Sequence, residues 1–191
     1  MQAVPTFTFD PGNSSVEIIN PLAFCTGCTV DFTLNTPSPN PFELQEVGDE
    51  FEFDFIDVVV QGGGFINGGI AQIQAALAFS TPSVASTTAS GTGGFLATGF
   101  NFFGNFFMTS GAAGIVWDQP DNILFSDGTE ISIALADAGN SCIGIFGCSS
   151  GIQFSVGSTT TLQQIPEPGA LALIGAGILA AGFKGRRRLR A

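Results

Sequence analysis

The groups able to do chemistry in this 191-residue chain are carboxylates, hydroxyls and four cysteines. There is no histidine and no tyrosine, and all five basic residues, Lys184, Arg186, Arg187, Arg188 and Arg190, stand at the extreme C-terminus. From Met1 to Phe183 the chain holds all sixteen acids and not one cation. Such a body lacks the side chains that usually move protons near neutral pH. It also lacks the cationic clamps of phosphoryl transfer and the Lys and Arg that neutralise nucleic-acid phosphates, so nucleic acid is excluded as its partner.

The most regular group of carboxylates is Glu50, Glu52 and Asp54, which alternate with Phe51, Phe53 and Phe55. Alternate residues on a strand lie roughly 6.6–6.8 Å apart on one face, so these three carboxylates repel one another with no internal cation to offset them. A solvated strand face satisfies them; so would a hard divalent cation such as Ca²⁺, completed by oxygens from elsewhere. A second acidic group, Asp118, Asp121 and the residues between, lacks EF-hand spacing. No cofactor is expected beyond such a cation, and no metal ligands are assigned.

The cysteines form two close pairs, Cys25 with Cys28 and Cys142 with Cys148. Four cysteines allow three connectivities. In an exported body, local pairing is the simplest, and each small ring would fasten a turn. The 142–148 spacing is wider than a usual zinc knuckle, and Cys25 has neither a helix N-terminus nor a cation to make it a redox thiol.

The elements that position these groups read as strands. With 45% hydrophobic residues and 20 Phe, the chain can build a packed core. Period-two alternation and turn residues mark strands at 6–9, 16–19, 29–34 and 50–60, the last turning uniformly apolar over Val58, Val59 and Val60 as if both faces were buried. Residues 70–79 fit helix and strand nearly equally and are assigned to strand. Gly68 and Gly69 read as a break, and residues 80–94, rich in Ser, Thr, Gly and Ala, as a loop. Further strands are expected at 95–102, 106–109, 115–117, 123–125, 130–135 and 153–156, with a hairpin at Asp127-Gly128. Many short strands without a fixed repeat indicate an all-β domain over residues 1–164, an antiparallel β-sandwich or jelly roll.

Residues 165–191 are different. Pro166-Glu167-Pro168 is followed by fifteen uncharged residues, 169–183, and then by the basic end, 184–191. As a helix, 169–183 spans roughly 22 Å, a little short of a hydrocarbon core of about 30 Å. The prolines stop a helix from extending upstream. Lys184, Arg186, Arg187, Arg188 and Arg190 can snorkel and hold the C-terminus on the cytoplasmic side of the membrane. A short C-terminal transmembrane helix is therefore expected.

In this order, Pro166-Glu167-Pro168, a short Leu/Ala/Gly/Ile helix and terminal arginines resemble the PEP-CTERM sorting signal. The resemblance covers residues 165–189. It implies a Gram-negative bacterium that makes exopolysaccharide, export of the body, transient anchoring in the inner membrane, and cleavage near Pro166, Glu167 and Pro168 by an exosortase. The destination it implies is the cell surface or extracellular matrix, with exopolysaccharide as a partner there. Met1-Gln2-Ala3-Val4-Pro5 has neither a basic n-region nor an apolar h-region, so it is not itself a signal peptide; Ala3-Val4-Pro5 suits a mature N-terminus.

Together these features lead to an exported structural or interaction protein, not an enzyme, found at the surface or in a biofilm matrix. Two alternatives stay open. One is a secreted carbohydrate-active enzyme with paired carboxylates, which needs two convergent buried acids. The other is an ice- or surface-binding β protein, which needs a flat, regular hydroxyl array on one sheet.

Overall fold

The structure, a computed structural model, describes residues 4–20, 27–63, 66–102, 105–118, 120–144 and 146–165. Every regular element among them is a strand: β1 (Thr6–Phe9), β2 (Ser15–Asn20), β3 (Thr29–Leu34), β4 (Phe42–Glu43), β5 (Glu50–Gln61), β6 (Ile66–Thr81), β7 (Ala85–Phe102), β8 (Asn105–Trp117), β9 (Asp121–Leu124), β10 (Glu130–Leu135), β11 (Ala138–Ile143) and β12 (Ile152–Gln164). They form two antiparallel sheets. One has seven strands, ordered β11-β8-β7-β6-β1-β4 with β2 also paired to β6, and the other has the order β3-β5-β12-β10-β9.

The sheets share one hydrophobic core, which is aromatic at one end. There Phe42 of β4 stacks on Phe51 of β5 with ring centroids 4.2 Å apart and planes 8° apart. Phe9 of β1 meets Phe53 and Phe55 of β5, and Phe7 meets Phe125 just beyond β9. Each such pair adds about 0.5–1.5 kcal/mol beyond its buried area. The alternation Phe51, Phe53, Phe55 thus drives the two sheets together, and Glu50, Glu52 and Asp54 go to solvent by the same period.

Several expectations need correction. The strand alternation does not give way to two buried faces at Val58, Val59 and Val60. Val58 and Val60 are buried and Val59 is only half-buried. What changes is the phase: in the ladder to β12, Ile56 faces Val156 and Asp54 faces Gly157, so Phe55 is an extra residue in a β-bulge. Phe55 and Ile56 are consequently both buried, and the inward set moves from odd to even positions.

Residues 80–94 are not a loop. Only a short turn separates β6 from β7, and the Ser/Thr/Gly/Ala run is strand, paired from Ala85 opposite Phe79 to Gly94 opposite Ile70. Gly68 and Gly69 lie inside β6, and residues 95–102 continue β7. The separate strands expected at 106–109 and 115–117 are one strand, β8, and that at 153–156 extends to Gln164. Strands β4 and β11 carry no alternation strong enough to have marked them. The hairpin at Asp127-Gly128 is present: Gly128 has φ +90°, and Asp127 Oδ1 accepts from Thr129 N at 2.9 Å.

Two ends of the molecule follow from the ladders. At the first, called the base here, lie Glu50 opposite Thr161, Glu130 opposite Gln164, and Ser126, whose N donates to Ser83 Oγ. At the second, the tip, lie Gln61, Phe106 and Gly151. Strand β12 runs from tip to base, and its 13 residues span roughly 40 Å at about 3.3 Å each.

Candidate functional site

Strand β12 ends at Gln164, beside Glu130 of β10, and Ile165 still packs against the core. The last described residue, Ile165, therefore lies at the base. Glu43, Glu46, Asp49, Glu50, Asp127 and Glu130 belong to the strand ends and turns there. Asp49 Oδ2 accepts from the Gln45 and Glu46 backbone N–H groups at 2.8 and 2.9 Å, which fixes the turn into β5. Pro166, Glu167, Pro168, Lys184, Arg186, Arg187, Arg188, Arg190 and the helix expected over 169–183 lie outside the described residues. No helix among the described residues is long and apolar enough to cross a membrane.

The acidic strand face is solvated. Glu50, Glu52 and Asp54 are exposed, and Glu52 and Asp54 border an open cleft with Ala136, Gly157 and Thr159. No group of three acids or cysteines among the described residues could hold a metal ion. Nor is any carboxylate among the buried polar side chains described, which are Ser14, Thr129, Ser158 and Thr160. Two carboxylates are tuned by their surroundings. Asp57 is held below the usual carboxylate range by the Ser155 hydroxyl donating at 2.6 Å and then the Asn35 amide at 3.0 Å. Asp121 is pushed up, first by burial and then by the negative charge of Asp118.

The three described cysteines gather at the tip. Cys142 and Cys148 are joined in a disulfide with Cα atoms 5.2 Å apart. Their loop is tied down by Gly144 N donating to Thr109 O at 2.7 Å and Cys148 N to Gly144 O at 3.0 Å. Cys28 is also disulfide-bonded; its expected partner Cys25 lies outside the described residues. Cys28 precedes β3, whose Thr29 pairs with Gln61, so it too belongs to the tip.

Two further surfaces were not found from the sequence. At the tip, Phe106, Phe107, Met108 and Phe146 line an open cavity of about 460 Å³ with Gln61 and Ser149 on its wall. Phe146 is 95% exposed. On the outer face of the seven-stranded sheet, Ser86, Thr88, Ser90 and Thr92 all point to solvent along β7. Thr92 lies between Gln72 of β6 and Val116 of β8, and Gln72 accepts from Asn20 Nδ2 at 2.6 Å. No charged residue occurs from Val58 to Trp117, which includes the whole of β6, β7 and β8. The signal was available: Ser86, Thr88, Ser90 and Thr92 alternate with Ala85, Thr87, Ala89 and Gly91. Small residues on the inward side concealed it.

The family model of the PEP-CTERM protein-sorting motif matches residues 164–188, beginning on the last residue of β12. The chain carries a PEP-CTERM sorting motif. No curated protein and no solved structure matches the chain. The PEP-CTERM motif implies an exported protein with a transiently membrane-anchored tail and exosortase processing. Its first residue, Gln164, is the last of β12 and pairs with Glu130 at the base, so the motif begins at the end of the last described strand.

Proposed function

We propose that this protein is an exported β module of structural or interaction type, delivered to the outer surface or matrix of a Gram-negative cell by exosortase cleavage near Pro166, Glu167 and Pro168. The observation that carries the reading is the sorting motif starting where β12 ends. The tail would hold the base toward the membrane and leave the tip, about 40 Å away along β12, facing outward. Expression with and without an exosortase, followed by the intact mass of the surface form, tests it.

A second reading draws on the outer face of β7. The hydroxyls of Ser86, Thr88, Ser90 and Thr92 repeat roughly every 6.7 Å along a strand free of charge, which suits binding to an ordered, uncharged surface such as ice. Thr88→Lys and Thr92→Lys would place charges in the middle of that array. If the wild type separates the melting and freezing points of ice and these variants do not, this reading stands; if the wild type has no such effect, the ice form of it falls.

A further inference from the structure

We infer that the tip is a self-association surface, on which two copies of this chain meet head to head with Phe146 of each copy entering the Phe106/Phe107/Met108 cavity of the other. The inference uses the tip alone and does not depend on how the tail is processed.

Three observations carry it. First, the tip exposes apolar side chains that a solitary domain would keep from water: Phe146 is 95% exposed, Ile143 84% and Phe107 36%. Second, Phe107 and Phe146 border a cavity of about 460 Å³, which has room for an aromatic ring and keeps two polar groups, Gln61 and Ser149, at its wall. A protruding ring beside a cavity of matching chemistry is what a two-fold contact needs, since the same patch must serve both subunits.

Third, charge selects the orientation in which two copies can meet. Every acid except Glu167 lies in the β domain and no cation lies there, so two copies repel wherever their acidic surfaces approach. The described residues that line the cavity are uncharged, and the described carboxylate nearest to them in ladder register is Asp31, opposite Val59. Tip against tip is thus the approach that brings apolar surface together while keeping the acids of the two bases farthest apart. The disulfide between Cys142 and Cys148 sets the position of Phe146 before contact, which lowers the ordering cost of binding. In such a pair the two tails leave from opposite ends, a geometry that joins two facing surfaces.

Sedimentation equilibrium of the full chain in density-matched detergent micelles tests the inference. The expected result is a monomer–dimer equilibrium that tightens as sodium chloride rises from about 20 to 300 mM, because screening relieves the repulsion between acidic bodies. Phe146→Ser and Phe107→Ser should each weaken it about tenfold or more, as loss of a central aromatic anchor does. Val84→Ser removes an 88% exposed apolar group at the base and should leave it unchanged. A monomer throughout, a dimer indifferent to both Phe variants, as association through the tail would give, or equal weakening by Val84→Ser would each overturn the inference.

Discussion

Phe55 and Ile56 are neighbours on one strand, yet both are wholly buried in the same core. A regular strand would send them to opposite faces. The bulge opposite Val156 and Gly157 turns them to one side, so Phe55 closes the aromatic end of the core and Ile56 opens its aliphatic end.

Truncating either should therefore carry a full core cost. Phe55→Ala is expected to destabilise by about 3–5 kcal/mol and Ile56→Ala by about 2–5 kcal/mol. Val59→Ala, on the half-buried outer side, should cost clearly less. Urea unfolding of the three variants checks this. A cost at Val59 equal to that at Ile56 would restore the idea of a strand buried on both faces.

Ser158 Oγ and Thr160 Oγ1 are buried with no hydrogen-bond partner among the described residues. A buried group left unsatisfied costs about 1–3 kcal/mol, so Thr160→Val, which keeps the shape and removes the hydroxyl, should stabilise the protein by an amount in that range. Ser158→Ala should act in the same direction. Denaturation midpoints measure both, and a loss of stability in Thr160→Val would mean that its hydroxyl has a partner after all.

Much of the architecture was legible where large apolar residues alternate, as in β1, β3, β5 and β10. It was hidden in β7 and the second half of β12, where the inward positions carry Ala, Gly, Ser and Thr. The reason is steric. A Cβ on Gly93 would sit 2.5 Å from Ile73 Cδ1, and one on Gly91 2.7 Å from Trp117 Cε3. The neighbouring strands supply the bulk, so β7 must be small there, and its composition imitates a loop. The hydroxyl array was hidden with it. The sorting motif needed no folding to be read, because its prolines, apolar run and arginines act in linear order.

The two shifted carboxylates should move stability in opposite senses. Asp57 titrates below its unfolded value, so its contribution is complete above the unfolded pKa and is lost as pH falls through the lower, folded one. Asp57→Asn should lower the melting temperature at pH 7 and matter little in strong acid. Asp121 titrates above its unfolded value; its ionised form disfavours the fold, so Asp121→Asn should raise the melting temperature at pH 7, with the gain fading as pH falls below the unfolded pKa. Melts of both variants from pH 7 down to acid decide the signs.

The Cys142–Cys148 disulfide closes a small ring, for which chain entropy gives about 2 kcal/mol. The double variant Cys142→Ser/Cys148→Ser should lose about that much. Hydrogen exchange should quicken around β11 and the start of β12 while the aromatic base stays protected. Uniform quickening in all strands would contradict a local role, and free thiols at 142 and 148 in unreduced peptide maps would remove the bond itself.

If residues 164–188 direct the protein to an exosortase, the basic end is removed from the surface form. The direct measurement is the intact mass of the surface-exposed protein from two otherwise identical hosts, one with an exosortase and one without. The exosortase host should yield a species ending near Pro166, Glu167 and Pro168, without Lys184, Arg186, Arg187, Arg188 and Arg190, while the other host retains them. A mature protein that keeps its arginines in both hosts would contradict it.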